Sequence, residues 1–284
     1  MLHWLWRLNE SRRLVRWPIK LAMVCLTALV VCFPHPKRFI EQVNRWRNPN
    51  ALIEPEAPAL RPMIDELAPE VAALKNPEEV LRLIEAFVYT HVPYDWDWNT
   101  WGMADYTPTV AQVIQKGRED CDGRAVLAAS LLRHFGFDAH LVSNFAHVWV
   151  STPRGDIMGP GKRKAIVATD KGVKFNWHGL TVLPRAAGFG IAVFPFLREL
   201  LILCVVWLIA ISRRVPMKRQ IVLLVVMASA LALLRQGGSS YRHPTLWLQL
   251  LATAAIVAAI IAPCIWSRRT TPQGLKTDAP TAAG

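Results

Sequence analysis

The chain has 284 residues, 52% of them hydrophobic, 12 tryptophans and a net charge of +12. That length admits one or two domains. The charge is unevenly placed: residues 35–187 hold 18 basic and 18 acidic residues, while the rest holds 15 basic and 3 acidic ones. The excess lies in the flanks of long apolar runs, which excludes a basic nucleic-acid-binding face.

Residues 1–17 are a basic lead into the first apolar run, "WPIKLAMVCLTALVVCF", which predicts a transmembrane helix over 18–34. A cleaved signal peptide fits less well, because "CFPHPKRF" lacks a small-residue cleavage site. Three further spans are predicted over 189–211, 220–235 and 245–266, followed by a polar tail over 267–284. Arg198 and Glu199 interrupt the second, and a pair at the outer boundary is expected there. Basic clusters precede the first span (Arg7, Arg12, Arg13, Arg16, Lys20), separate the second from the third (Arg213, Arg214, Lys218, Arg219) and follow the fourth (Arg268, Arg269, Lys276). Four spans with these clusters inside place both termini in the cytoplasm and residues 35–187 outside a bacterial plasma membrane. The bilayer is then one partner, and nucleic acid is none.

Within the outer part, residues 35–62 are rich in proline and charge and read as a linker, with a short amphipathic helix in "KRFIEQVNRWR". The folded domain is expected over 63–187. Asn76, Pro77, Glu78 and Glu79 are a helix start, and Val80, Leu83, Ile84, Phe87 and Val88 follow at helical spacing up to Pro93. "YDWDWNTWGMADY" is an aromatic loop, "TVAQVIQKG" a short helix closed by Gly117, and Cys121–Phe135 a helix stopped by Gly136. "DAHLVSN", "HVWVST", "DIMGP", "KAIVAT" and "GVKFNW" read as strands joined by turns. The expected class is α+β: helices first, then an antiparallel sheet, attached to four transmembrane helices.

Of the five cysteines, only Cys121 lies outside the apolar runs. An outer domain with one cysteine forms no internal disulfide, leaving a free thiol, an intermolecular link or a nucleophile. A helix start lowers a thiol pKa and supplies N–H groups for an oxyanion, whereas Asp120 and Asp122 oppose ionisation. A base is needed close by. His147, opening a strand, is the first candidate and His140 the second.

Residues 107–150, "TPTVAQVIQKGREDCDGRAVLAASLLRHFGFDAHLVSNFAHVWV", resemble the core of the transglutaminase-like superfamily of papain-like thiol enzymes. Gly117, Cys121, "LLRHFGF" and His147 match in order and spacing, and "FVYTHVPYDWD" resembles the helix and tyrosine that precede the cysteine. The resemblance covers about residues 77–160 and implies Cys121 as nucleophile, His147 as general base and an Asp orienting the imidazole. Centring the hairpin on Arg154 pairs Trp149 with Gly159, where that Asp is expected, so the sequence departs from the pattern there. Asp156 is the chosen substitute, with Asp170, Asn144 or no third member as alternatives. Trp96, Trp98 and Trp101 are candidate substrate-binding residues, or else an aromatic lid or membrane-interface contact. No metal-ligand spacing and no phosphate-binding glycine loop is present, so no metal and no cofactor is expected.

The resulting expectation is a membrane-anchored thiol enzyme acting on amides of envelope peptides or proteins, with hydrolysis favoured over cross-linking. The alternatives are an inactive peptide-binding or assembly module, and a transport or assembly protein with an accessory outer domain.

Overall fold

The computed structural model describes residues 13–159, 164–169, 172–210, 215–241 and 243–269. Helix α1 (Arg13–Cys32) is the first apolar run, and its stretch Val15–Cys32 is long and apolar enough to cross a membrane. Helix α2 (Pro36–Arg47) follows directly, with proline at its first position, where a missing N–H costs nothing. Residues read from sequence as a linker are thus largely ordered. Two 3-10 turns, Pro49–Leu52 and Pro58–Leu60, carry Leu52, Ile53 and Leu60 into the core of the α+β domain. Asn50 fixes this segment to the sheet, accepting from the Leu141 N–H at 3.1 Å. The proline content reflects a chain wrapped over a domain without regular ladders.

Helix α3 (Arg61–Ala73) leads to α4 (Pro77–His91), which starts at the expected cap: Asn76 accepts from the Glu78 N–H. A short turn of helix, α5 (Asp97–Thr100), interrupts the aromatic loop. Helix α6 (Val110–Lys116) begins with a reciprocal Thr109–Gln112 capping box and ends at left-handed Gly117. Helix α7 (Cys121–His134) is buried at every position from Asp122 to Leu132. It is the central element, packed between α4, α6 and the sheet. Small residues permit this. A Cβ on Gly123 would lie 2.6 Å from Glu119 Cγ and 2.8 Å from Pro108 Cγ, so only glycine lets the first turn sit this close.

The sheet is antiparallel in the order β3-β2-β1-β4-β5, with β1 His140–Ser143, β2 Val148–Thr152, β3 Gly155–Ile157, β4 Ile166–Thr169 and β5 Gly172–Phe175. Leu141, Val142, Trp149 and Val150 turn into the core with α7. The fold is therefore mixed: helices first, then a five-stranded antiparallel sheet, as expected.

After the sheet, the span expected over 189–211, interrupted in sequence by Arg198 and Glu199, is two helices. A 3-10 segment and α8 (Leu183–Val193) meet α9 (Phe196–Ala210) at 105°. Pro195 sits at the break and supplies no N–H to continue the ladder. The freed carbonyls of Ile191 and Phe194 accept from Arg235, which also pairs with Glu199. Helices α10 (Met217–Gly238) and α11 (Leu246–Arg269) complete the apolar set. Among the described residues, three helices are long and apolar enough to cross a membrane, or four spans result if the bent pair counts as one. The apolar helices touch the α+β domain directly. Arg198 donates to the Gly102 carbonyl, Ala104 N–H to Cys32, and Phe33 packs on buried Trp101, Met103 and Tyr106.

Candidate active site

Cys121 occupies the first position of α7, behind the cap Asp120, whose carboxylate accepts from the Asp122 N–H at 3.2 Å. The backbone N–H of Val148, the first residue of β2, donates to the Cys121 sulfur. Helix start and strand start therefore meet, and the thiol lies next to the residue that follows His147. Burial, then the fields of Asp120 and Asp122, push the Cys121 thiol well above its ordinary range; the Val148 N–H opposes this, and Asp97 adds to the rise.

His147 Nε2 lies 2.6 Å from the carbonyl oxygen of Met158. A carbonyl only accepts, so Nε2 carries the proton, and in the neutral ring Nδ1 is the basic nitrogen. Met158 is held for this role. Its φ is +63°, a left-handed conformation unusual for a side chain of its size, and its N–H donates to Glu85 on α4 at 2.6 Å. His147 also stacks on Trp149, with ring centres 6.1 Å apart and planes at 15°.

The hairpin register corrects the sequence reading. Val150 pairs with Ile157, Ser151 with Asp156 and Thr152 with Gly155, one residue from the register centred on Arg154. Extended by one pair, it sets Trp149 opposite Met158, not Gly159. An Asp at 159 would not fit in any case. A Cβ there would stand 2.2 Å from Cγ of Trp149, which is fully buried.

Asp156, expected to orient His147, is hydrogen-bonded elsewhere: to the Trp149 indole at 3.1 Å and to Lys164 at 2.9 Å. It faces Ser151, so its carboxylate serves the neighbouring strand position. It reaches His147 only through the ring of Trp149. Asn144 is also engaged elsewhere, accepting from the Ala146 N–H and donating to the Tyr241 hydroxyl. Asp170 lies outside the described residues. His140, the second candidate base, pairs with Asp138 and Asn50 at the far end of β1.

The three tryptophans separate. Trp101 is a core residue, 5% exposed and donating its indole N–H to Glu119, which removes it from any substrate groove. Trp96 and Trp98 are half-buried and stacked at 4.7 Å. They pack against Phe189 and Phe194 of the bent helix pair, at 6.4 and 5.8 Å. These contacts join the aromatic loop to the bent helix pair. Tyr94 meets Trp96 edge-on, and Tyr89 and Tyr94 flank the Arg124 guanidinium; both tyrosines are 45% exposed. Arg124 donates to the Val92 carbonyl, and Glu119 exchanges backbone bonds with Pro93 and Asp95. These bonds sew the aromatic loop to the segment before Cys121.

Sequence spacing pointed to no metal site, yet the fold gathers Asp97 with Glu119, Asp120 and Asp122, a set of carboxylates whose oxygens could hold a metal ion. Burial, then Asp122, pushes Glu119 up to about 8. Burial and the same neighbours raise Asp97 and Asp120. The only sequence signals were the acids of "GREDCD" and of "YDWDW", separated by the whole of α6. The Met158 carbonyl had none, because a backbone acceptor leaves no residue type to read.

A comparison with curated proteins gave no match. Residues 65–181 match the model of the transglutaminase-like superfamily, which spans α4, the Cys121 helix and the sheet. The chain carries a transglutaminase-like superfamily domain.

Proposed function

We propose that this chain is a membrane-anchored thiol enzyme that acts on amide bonds by acyl transfer through Cys121 and His147. The observation that carries the reading is the fixed His147 tautomer. The Met158 carbonyl accepts the hydrogen bond of Nε2–H and leaves Nδ1 as a base, one residue before the strand whose first N–H meets the Cys121 sulfur. In this mechanism Nδ1 takes the thiol proton as the sulfur attacks the amide carbon. The N–H of Cys121, at the helix start, steadies the oxyanion. His147 then returns the proton to the leaving amine, and water releases the acyl group by the same route. The Met158 carbonyl takes the orienting place of the family's Asp.

The reading places the domain outside a bacterial plasma membrane with both termini in the cytoplasm, from the distribution of basic residues. Three to four membrane-length helices support the anchoring. Envelope peptides or proteins are the substrates that such a site meets. Hydrolysis is favoured over cross-linking because no feature marks an amine-acceptor site. A second reading, an inactive peptide-binding module, draws on the raised thiol pKa and on the absence, among the described residues, of a carboxylate on His147.

Peptides released from membranes of cells expressing wild type or Cys121→Ala distinguish these readings. In isotope-labelled water, hydrolysis by the wild type puts label into new carboxyl termini, and the variant yields none of those products. Identical peptide profiles would remove the enzymatic reading. Labelling of Cys121 in spheroplasts by a membrane-impermeant maleimide tests the orientation, which fails if labelling requires lysis.

A further inference from the structure

Arg124 has a place beside the nucleophile and no part in the acyl-transfer mechanism. It follows Cys121 by three positions on α7, so the two share one helix face, about 5–6 Å apart at Cβ. Helix side chains lean toward the N-terminus, which tilts Arg124 back over the turn that starts at Cys121. The residue is 9% exposed, and its charge has no carboxylate partner among the described residues. A charge so buried and unpaired is costly to keep. The neighbouring cations are committed elsewhere: Arg118 pairs with Asp95 at 3.2 Å, and Lys116 lies over the Trp101 ring.

The guanidinium is held at three points. Nε donates to the Val92 carbonyl at 2.8 Å, and the Tyr89 and Tyr94 rings lie against the group with centres 5.2 and 5.1 Å away. Its Nη groups have no acceptor among the described residues and are not enclosed. Both tyrosines are 45% exposed, so solvent reaches this rim. Burial raises the Tyr94 and Tyr89 pKa values, and Cys121 adds to both. Burial lowers that of Arg124, and the two tyrosines, Asp120 and Cys121 oppose it. Thiol, phenols and guanidinium are thus mutual neighbours. A planar fork fixed at Nε keeps its remaining N–H donors in one plane.

We propose that Arg124 is a substrate-binding residue that selects amides carrying a carboxylate next to the scissile bond. The proposal deepens the acyl-transfer reading and rests on it. A carboxylate accepts paired N–H bonds from such a fork and supplies the counter-ion that the fold does not. An extended residue spans about 3.3–3.6 Å, so an anion held about 5–6 Å along the helix face sits on a residue flanking the attacked carbonyl. Asp120 and Asp122 flank the thiol and by themselves repel an anion, so attraction of one to Cys121 needs Arg124. The carboxylate comes from an acidic side chain or from a chain terminus.

The test uses the full chain in detergent with its other four cysteines replaced by alanine. Cys121 is alkylated by iodoacetate and by iodoacetamide, which share a leaving group and differ in the carboxylate. Each rate is divided by that of 2-mercaptoethanol. The expected result is a preference for iodoacetate, and a fall of about tenfold or more in the iodoacetate-to-iodoacetamide ratio in Arg124→Gln. An effect on thiol ionisation alone moves both rates together, so an unchanged ratio in Arg124→Gln overturns the proposal. His147→Ala slows both reagents alike. Failure of the acyl-transfer reading therefore shows in the rates, and failure of this proposal in the ratio. Protection of the unsubstituted site guards against a misfolded variant. N-acetylglutamine carries only a terminal carboxylate, the α-amide of N-acetylglutamate only a side-chain one, and the amide of N-acetylglutamine neither. One or both of the acids slow alkylation by iodoacetamide and the neutral amide does not; the stronger protector names the source of the carboxylate. Equal protection by all three, or by none, overturns the proposal.

Discussion

Gly159→Ala tests how His147 is positioned. The new Cβ would stand 2.2 Å from Trp149 Cγ, 2.5 Å from Cδ1 and 2.6 Å from Cβ. Carbon atoms rest at about 3.5–4.0 Å, so the indole must retreat by more than about 1 Å. It has no free side to retreat into. Trp149 is fully buried, bonded to Asp156 at 3.1 Å and stacked against His147. Overpacking of this kind costs about 1–3 kcal/mol, and a broken indole bond adds about 1 kcal/mol. We expect a loss of about 2–4 kcal/mol in calorimetric unfolding of the purified chain, together with slower alkylation of Cys121 as the imidazole shifts. Trp149→Phe in the same chain restores part of both by making room. Gly159→Ala with unchanged melting and unchanged alkylation would refute the argument that the indole occupies this position.

Further outcomes follow from individual contacts. Asp156→Ala removes the bonds to Lys164 and Trp149 and costs about 1–2 kcal/mol, but leaves Cys121 alkylation close to wild type because Met158 still holds His147. Partial burial raises the Asp156 pKa, but its bonds to Lys164 and Trp149 outweigh this and hold it below the usual range. Its stabilising contribution is therefore full above about pH 3.9 and is lost as pH falls through its folded value, as acid titration of wild type against Asp156→Ala would show. Tyr241→Phe deletes the bond to Asn144 and costs about 1 kcal/mol, read as faster hydrogen exchange of residues 144–147. Arg235→Ala leaves Glu199 without its partner and two carbonyls unsatisfied, costing about 3–5 kcal/mol in melting, which Glu199→Gln partly restores.

The helices and strands of the α+β domain were legible because their caps and periodicities are local: Asn76 before Pro77, Gly117 after Lys116, and alternation in "HVWVST". The superfamily was legible because Cys121 and His147 stand at helix and strand starts that only tertiary pairing brings together, in an order the chain preserves. Three things were hidden. The segment over 35–62 looked like a linker because its burial depends on contacts such as Asn50 with Leu141, ninety-one residues away. The second span was read as interrupted at Arg198 and Glu199, but the break at Pro195 was hidden because Arg235, supplied by another helix, satisfies it. The orienting group of His147 was sought among the side chains of Asp156, Asp170 and Asn144, whereas Nε2 meets the backbone carbonyl of left-handed Met158, whose N–H is bonded to Glu85. The one-residue difference in hairpin register arose because strand alternation sets which residues face inward but not the turn's centre.

The central claim is that His147 activates Cys121. Its most direct measurement is the rate of Cys121 alkylation by iodoacetamide in a chain whose other four cysteines are alanine, compared with the same chain carrying His147→Ala. The account predicts that the substitution slows alkylation markedly near neutral pH and that the two rates converge at high pH, where the thiol ionises unaided. Equal rates across the whole pH range would contradict it.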